Sequence, residues 1–246
     1  MRAIMRCLFT VGALALAGAV AAKDRTAIGI SLEASTLGAG LSVGVPLGKR
    51  FNLRGAYHAY THDEEFEDDS GGSYDGELDL RSVGLFADWH PFRGAFRLTA
   101  GLVSNGNQIN MTGTDDGTGR YEVGDCTFQS DPADPLRIDG AVDFNSTAPY
   151  LGIGWGGNLN GKPGFYATFD IGVLLSGAPD SSLTGRGSAQ NADPVGQPQC
   201  GIGGSQDVSS YPEFQAAVQD AEDEVNQETE DYELWPNIAV GIGWRF

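Results

Sequence analysis

The last ten residues alternate. Ile238, Val240, Ile242, Trp244 and Phe246 are apolar, Gly241, Gly243 and Arg245 stand between them, and the sequence ends on the Phe246 ring. A period of two puts these five side chains on one face of a β-strand. The same period recurs upstream. Residues 27–35 carry Ile28, Ile30 and Leu32 on one parity, and 39–47 carry Leu41, Val43, Val45 and Leu47. Residues 51–60 carry Phe51, Leu53, Tyr57 and Ala59; 83–89 carry Val83, Leu85, Ala87 and Trp89; 96–103 carry Phe96, Leu98, Ala100 and Leu102. Leu151, Ile153 and Trp155 alternate in 149–155, and Phe165, Ala167, Phe169, Ile171, Val173 and Leu175 in 165–175. With 237–246 this makes eight strands, each apolar on one side.

A soluble sandwich would alternate too, so the choice of architecture rests on other features. The opposite parity is mostly Gly, Ser, Thr and Asn, which suits the narrow interior of an eight-stranded barrel. It accounts for much of the glycine, 36 of 246 residues against an average usage of about 7%. The connections also alternate: 47–50, 91–95 and 158–164 are short, whereas 61–77, 104–148 and 176–234 are long. Short periplasmic turns and long outer loops are the habit of outer-membrane barrels. Phe51, Trp89, Phe92, Phe165, Trp244 and Phe246 on the turn side, and Tyr150 and Trp235 on the loop side, fit interfacial belts. One strand resists the scheme. Leu78 and Leu80 have the parity opposite to Val83–Trp89, so either a bulge falls near Arg81–Ser82 or the upper half of that strand projects above the membrane.

Residues 1–22 read as a secretory signal. Arg2 and Arg6 form its basic start, an apolar stretch runs from Leu8 to Val20, and cleavage is expected after about Ala21 or Ala22. Residues 23–246 then form the barrel domain. Two cysteines remain, Cys126 and Cys200, and an exported chain meets oxidising conditions, so they form either a disulfide or two free thiols.

The 15 Lys and Arg against 33 Asp and Glu give a net charge of −18, which becomes −20 when Arg2 and Arg6 leave with the signal. This excludes a nucleic-acid partner, which needs a basic face. The excess sits in the long connections, around Asp63–Asp69, around Asp115–Asp125 and in 213–233. An acidic rim concentrates cations over a Debye length of ~8 Å, or it is simply a solvated surface. Residues 212–229 read as an amphipathic helix with Phe214, Ala217, Val218, Ala221 and Val225 on one stripe, placed to pack over the barrel mouth.

The whole chain after residue 22 resembles small proteobacterial outer-membrane barrels of the OmpA, OmpX and OmpW types. The alternating last strand with its terminal Phe246 is similar to the signal read by the barrel-assembly machinery. The runs 80–92 and 96–102, the segment 150–155, the acidic helical stretch and the ending 235–246 are loosely similar to CarO-like exported barrels, described as channels for basic amino acids. The resemblance implies an outer-membrane location, contact with lipid and lipopolysaccharide, and small solutes as passengers.

Inward parity places Glu33, Asp88 and Asp170 beside Arg54, Arg97 and Arg245. These six form either a salt-bridged plug or the wall of a narrow polar path. The leading expectation is a narrow passive channel for small, cationic solutes, with a non-conducting structural barrel as the alternative. A lipid-modifying enzyme is the third class and is not expected. Only His58, His62 and His90 exist, with no nucleophile motif beside them, and no catalytic, cofactor or metal site is expected.

Overall fold

The computed structural model describes residues 27–67, 73–114, 119–192, 200–201, 204–229 and 233–246. The segment read as a signal peptide lies outside them, as do Asp68, Asp69, Asp115 and Asp116 of the acidic clusters.

Eight strands form the barrel: β1 (Gly29–Ser35), β2 (Gly38–Pro46), β3 (Phe51–Glu67), β4 (Ser73–Trp89), β5 (Phe96–Asn105), β10 (Thr147–Gly156), β11 (Gly164–Leu175) and β15 (Leu234–Arg245). Each is antiparallel to its neighbours. The ladder closes where β15 pairs with β1, Gly29 opposite Arg245 and Ser35 opposite Ala239. Closure leaves the barrel wall no free strand edge. Leu32, Leu41, Leu85, Leu102, Leu151 and Ile242 project outward, while Ser31, Glu33, Ser42, Asp88, Arg97 and Asp170 are buried on the opposite parity. The apolar face is therefore the outside. The Ile238–Phe246 stripe lies on it, each of its five side chains exposed.

The three long connections are not simple loops. β3 and β4 run 17 residues each, roughly 55 Å of strand, against an apolar band about 25 Å tall. Their upper halves therefore leave the band, and most of 61–77 is strand. The register is continuous from Phe51–Trp89 to Glu67–Ser73, with no bulge at Arg81–Ser82. Leu80 keeps the inward parity and is buried at the barrel mouth. Arg81 points outward to pair with Asp79 at 3.4 Å.

Among the described residues, seven more strands stand in the other two connections: β6 (Gln108–Thr114), β7 (Arg120–Val123), β8 (Cys126–Ser130), β9 (Arg137–Asp143), β12 (Asp180–Arg186), β13 (Ser188–Asn191) and β14 (Gln206–Asp207). β6 continues the line of β5 along β4, and β9 and β12 add to its edge. A second sheet runs β14–β13–β8–β7. The helix α1 spans Pro212–Thr229, the range its apolar stripe predicts. Its partners are β12, β7 and the 3-10 turn at Val208–Ser210. It walls an outer subdomain whose core holds Tyr121, Phe128, Leu136, Val208, Tyr211 and Phe214. Asp207 caps the 3-10 turn by accepting from the Ser209 hydroxyl at 2.6 Å and its amide at 2.9 Å. These bonds hold the Asp207 carboxyl below the usual carboxylate range. Cys126 and Cys200 are joined by a disulfide inside that core.

Candidate functional site: the barrel lumen

Period-two alternation sends half of each barrel strand into a space too narrow for bulk solvent, so what stands there must pair or pack. Five of the six charged residues of inward parity meet in one chain of alternating sign. Glu33 of β1 lies 3.7 Å from Arg54 of β3. The Arg54 Nε donates to Asp88 of β4 at 3.1 Å. Asp88 faces Arg97 of β5 at 3.7 Å, and one Arg97 terminal nitrogen donates to both Asp170 oxygens, at 2.8 and 2.7 Å. The chain thus crosses the lumen from β1 to β11. His58 extends it at the Glu33 end, at 3.3 Å. Ser42 and Ser31 donate to Glu33, and Thr99 donates to Asp88.

Arg245 is not in this chain. Its inward parity is correct, but at the end of β15 it lies beyond reach of the lumen acids. It donates instead to the backbone carbonyls of Asn158 and Lys162 in the turn before β11. That turn folds under the barrel. Gly156 and Gly157 have φ of 87° and 66°, a left-handed pair open to glycine. They swing Leu159 beneath the lumen, where it is buried against Gly29 and Gly44.

Neighbouring turns are tied to this floor. Asn52 donates to the Gly157 carbonyl at 3.0 Å and meets His90 Nε2 at 3.1 Å. His90 Nδ1 lies 3.1 Å from the Gly94 carbonyl. A carbonyl only accepts, so Nδ1 carries the proton and Nε2 accepts from Asn52. His90 is thus a neutral strut between turns.

Above the ion chain the lumen becomes apolar. Leu37, Ala56, Phe86, Val103, Ala148, Tyr150 and Leu174 form a buried plug, with Trp235 packed against it. The Arg54 guanidinium lies 4.8 Å over the Phe86 ring, and Phe86 meets Tyr150 edge to face at 5.1 Å. Alternation alone flags Phe86, which shares the parity of Gly84 and Asp88. Tyr150 and Trp235 are therefore plug residues rather than members of an outer belt; their parity turns them in. The turn-side belt is in place, with Phe51, Trp89, Phe92, Phe165, Trp244 and Phe246 all exposed.

Lumen glycines make room for these large groups. Gly152 and Gly172 face each other on β10 and β11, and a Cβ on either would run into the Tyr150 ring. Gly172→Val is expected to cost about 1–3 kcal/mol by overpacking, read as a lower denaturant midpoint for the vesicle-embedded protein. An unchanged midpoint would mean that the Tyr150 ring has another place to go.

Among the described residues, a void of about 10 Å³ lies beside Glu33, His58 and Tyr150 and another of about 10 Å³ beside Ser42, Asp88 and Tyr166. Each is about the space one water needs. No group of three or more His, Cys, Asp or Glu among the described residues is arranged to hold a metal ion.

No family model and no curated protein matches this chain by sequence. Solved structures do match by shape. Acinetobacter baumannii CarO2 aligns over 91% of this chain and 100% of its own, with 18% identity and a TM-score of 0.54. Acinetobacter baumannii CarO aligns over 89% and 97%, with 21% identity and a TM-score of 0.49. Ail, the attachment invasion locus protein of Yersinia pestis, covers 90% and 96% at 11% identity and a TM-score of 0.32. The likeness to CarO2 is one of fold. The chain folds as a small closed barrel of the outer-membrane kind, with a structured outer part.

Proposed function

We propose that this chain is an outer-membrane protein whose barrel is a closed, non-conducting anchor for the subdomain above it. The lumen carries this reading. Leu159 seals it below, an apolar plug seals it above, and a five-residue ion chain fills the middle, with water-sized voids beside it among the described residues. A solute path would have to break Arg97 from Asp170 while both are buried, and an unpaired ion there costs several kcal/mol. Eight strands leave little room for a path around them.

Outer-membrane placement rests on the apolar exterior, the turn-side aromatic belt and the closed ladder, since lipid tolerates no open strand edge. Lipid and lipopolysaccharide are then its surroundings. The exposed Ile238–Phe246 stripe is what the barrel-assembly machinery would read. No enzymatic role is proposed. His58, the histidine set against a carboxylate in the lumen, is buried on Glu33 with no described nucleophile within hydrogen-bond reach.

Planar-bilayer recording separates this reading from a narrow channel. The intact protein is expected to pass no current, and liposomes carrying it are expected not to swell in basic, neutral or acidic amino acids. Reproducible unitary currents, or swelling selective for basic amino acids, would overturn the anchor reading in favour of a passive cation path.

A further inference from the structure

The outer sheet β4–β6–β9–β12 is amphipathic. One face carries Tyr74, Ile109, Met111, Ile138, Val142 and Leu183; the other carries Asp75, Asn110, Thr112, Asp139 and Ser182, in a register that pairs like with like. The apolar face continues the inward parity of β4 and β5, so it rises above the barrel mouth. Its far end, at Tyr74, Ile138 and Leu183, packs on the subdomain core. Its near end does not: Ile109 and Met111 are 37% and 44% exposed. Between this end and Ala221 and Val225 of α1 lies a cavity of about 310 Å³. Gly113 and Gly140 deepen its floor, alternating across the strands with Met111.

We infer that this cavity binds a compact apolar molecule bearing one amine. Size sets the first half. An apolar cavity of about 150 Å³ takes benzene, and twice that volume suits a bicyclic body. It is too small for a protein segment and falls at the lower edge of small-ligand sites. Charge sets the second half. Among the described lining residues Glu122 is the sole carboxylate, and none is Lys, Arg or His. Across the seam between the β7–β8 turn and α1, Asp125, Asp220, Asp223 and Glu224 line a polar hollow. A negative field at the rim favours an ammonium head and opposes the carboxylate of a fatty acid. The inference does not depend on whether the lumen conducts.

Met111 stands in the cavity wall and is the single methionine beyond residue 5, so in protein prepared without residues 1–22 its methyl group is told apart from any N-terminal methionine by its loss in Met111→Leu. Protein labelled with [methyl-13C]methionine and embedded in lipid nanodiscs would be titrated with 1-naphthylmethylamine and, separately, with 1-naphthoate. The amine is expected to shift the Met111 methyl resonance saturably, with about tenfold or more tighter apparent affinity than the acid. Val225→Trp, a change at a partly exposed helix position, should abolish the shift while far-UV circular dichroism stays unchanged. Glu122→Gln should leave binding in place and narrow the gap between amine and acid. An unmoved methyl resonance would overturn the inference. So would a shift that never saturates, which marks partition into lipid, or one driven by protein concentration alone, which makes this face an interface between copies. Equal affinity for amine and acid would remove the charge preference and with it the proposed class.

Discussion

Arg97→Met is expected to cost the barrel about 3–5 kcal/mol, the usual toll of removing one partner from a buried ion pair. Arg97 is 1% exposed and serves three groups. It holds both Asp170 oxygens, lies 3.7 Å from Asp88 and donates to the Gly156 carbonyl at 2.6 Å. Methionine fills much of the volume, so the loss is one of charge and hydrogen bonds rather than of packing. Asp170 loses its hydrogen-bonded cation, while Asp88 keeps Arg54. The paired change Arg97→Met with Asp170→Leu should recover a large part of the loss, because a buried pair replaced by apolar groups is often close to neutral. Urea unfolding in lipid vesicles gives the single and double values, and the cycle gives the coupling. A single variant that unfolds within about 1 kcal/mol of the parent would mean that the lumen hydrates Asp170. That result would also weaken the closed-anchor reading.

The barrel was legible because its physics is one-dimensional. Lipid outside and a narrow interior force a period of two, and a reader of Leu41–Val43–Val45 or Ile238–Val240–Ile242 needs nothing else to place each side chain. The same rule put Glu33, Arg54, Asp88, Arg97 and Asp170 inside, but parity fixes only direction. It carries no height, so it could not separate Arg245, which ends its strand and bonds a turn, from Arg97 at mid-lumen. Height also decided Tyr150 and Trp235, whose ring chemistry fits an interface as well as a plug. The outer subdomain was the least legible part. β6, β9 and β12 are short, and their rows mix Gly with Met, Ile and Leu, so alternation fades into the composition of a loop. Only α1 stood out there, since 18 residues repeat the stripe often enough to rise above it. Leu159 had no sequence signal: its burial depends on two left-handed glycines turning a short connection inward.

Cys126→Ser with Cys200→Ser is expected to release the outer subdomain while leaving the barrel closed. The bond spans 74 positions, but the β10–β11 hairpin within that span stays fixed while the barrel is folded. The chain actually freed is roughly 45 residues, split between the connections on either side of the hairpin, and closing a loop of that length is worth about 4 kcal/mol on the chain-entropy account. A subdomain with one modest core and two small sheets has little more than that to spare. The bond ties the start of β8, in the connection before β10, to the segment before α1, in the connection after β11. Its loss therefore removes a covalent tie between two connections that meet otherwise through the β8–β13 and β9–β12 ladders and through side chains such as Phe128 against Phe214 and Tyr211. Protease added outside sealed vesicles should then cut within 104–148 and 176–233, and a core that keeps the far-UV signature of the barrel should remain. The parent protein treated with reductant should behave in the same way. If the double variant resisted cleavage as well as the parent, the β8–β13 and β9–β12 ladders with the packing of α1 on β12 and β7 would be enough to hold the subdomain. If its barrel unfolded as well, the two parts would form one cooperative unit, and the closed lumen would owe its stability in part to the chain folded above it.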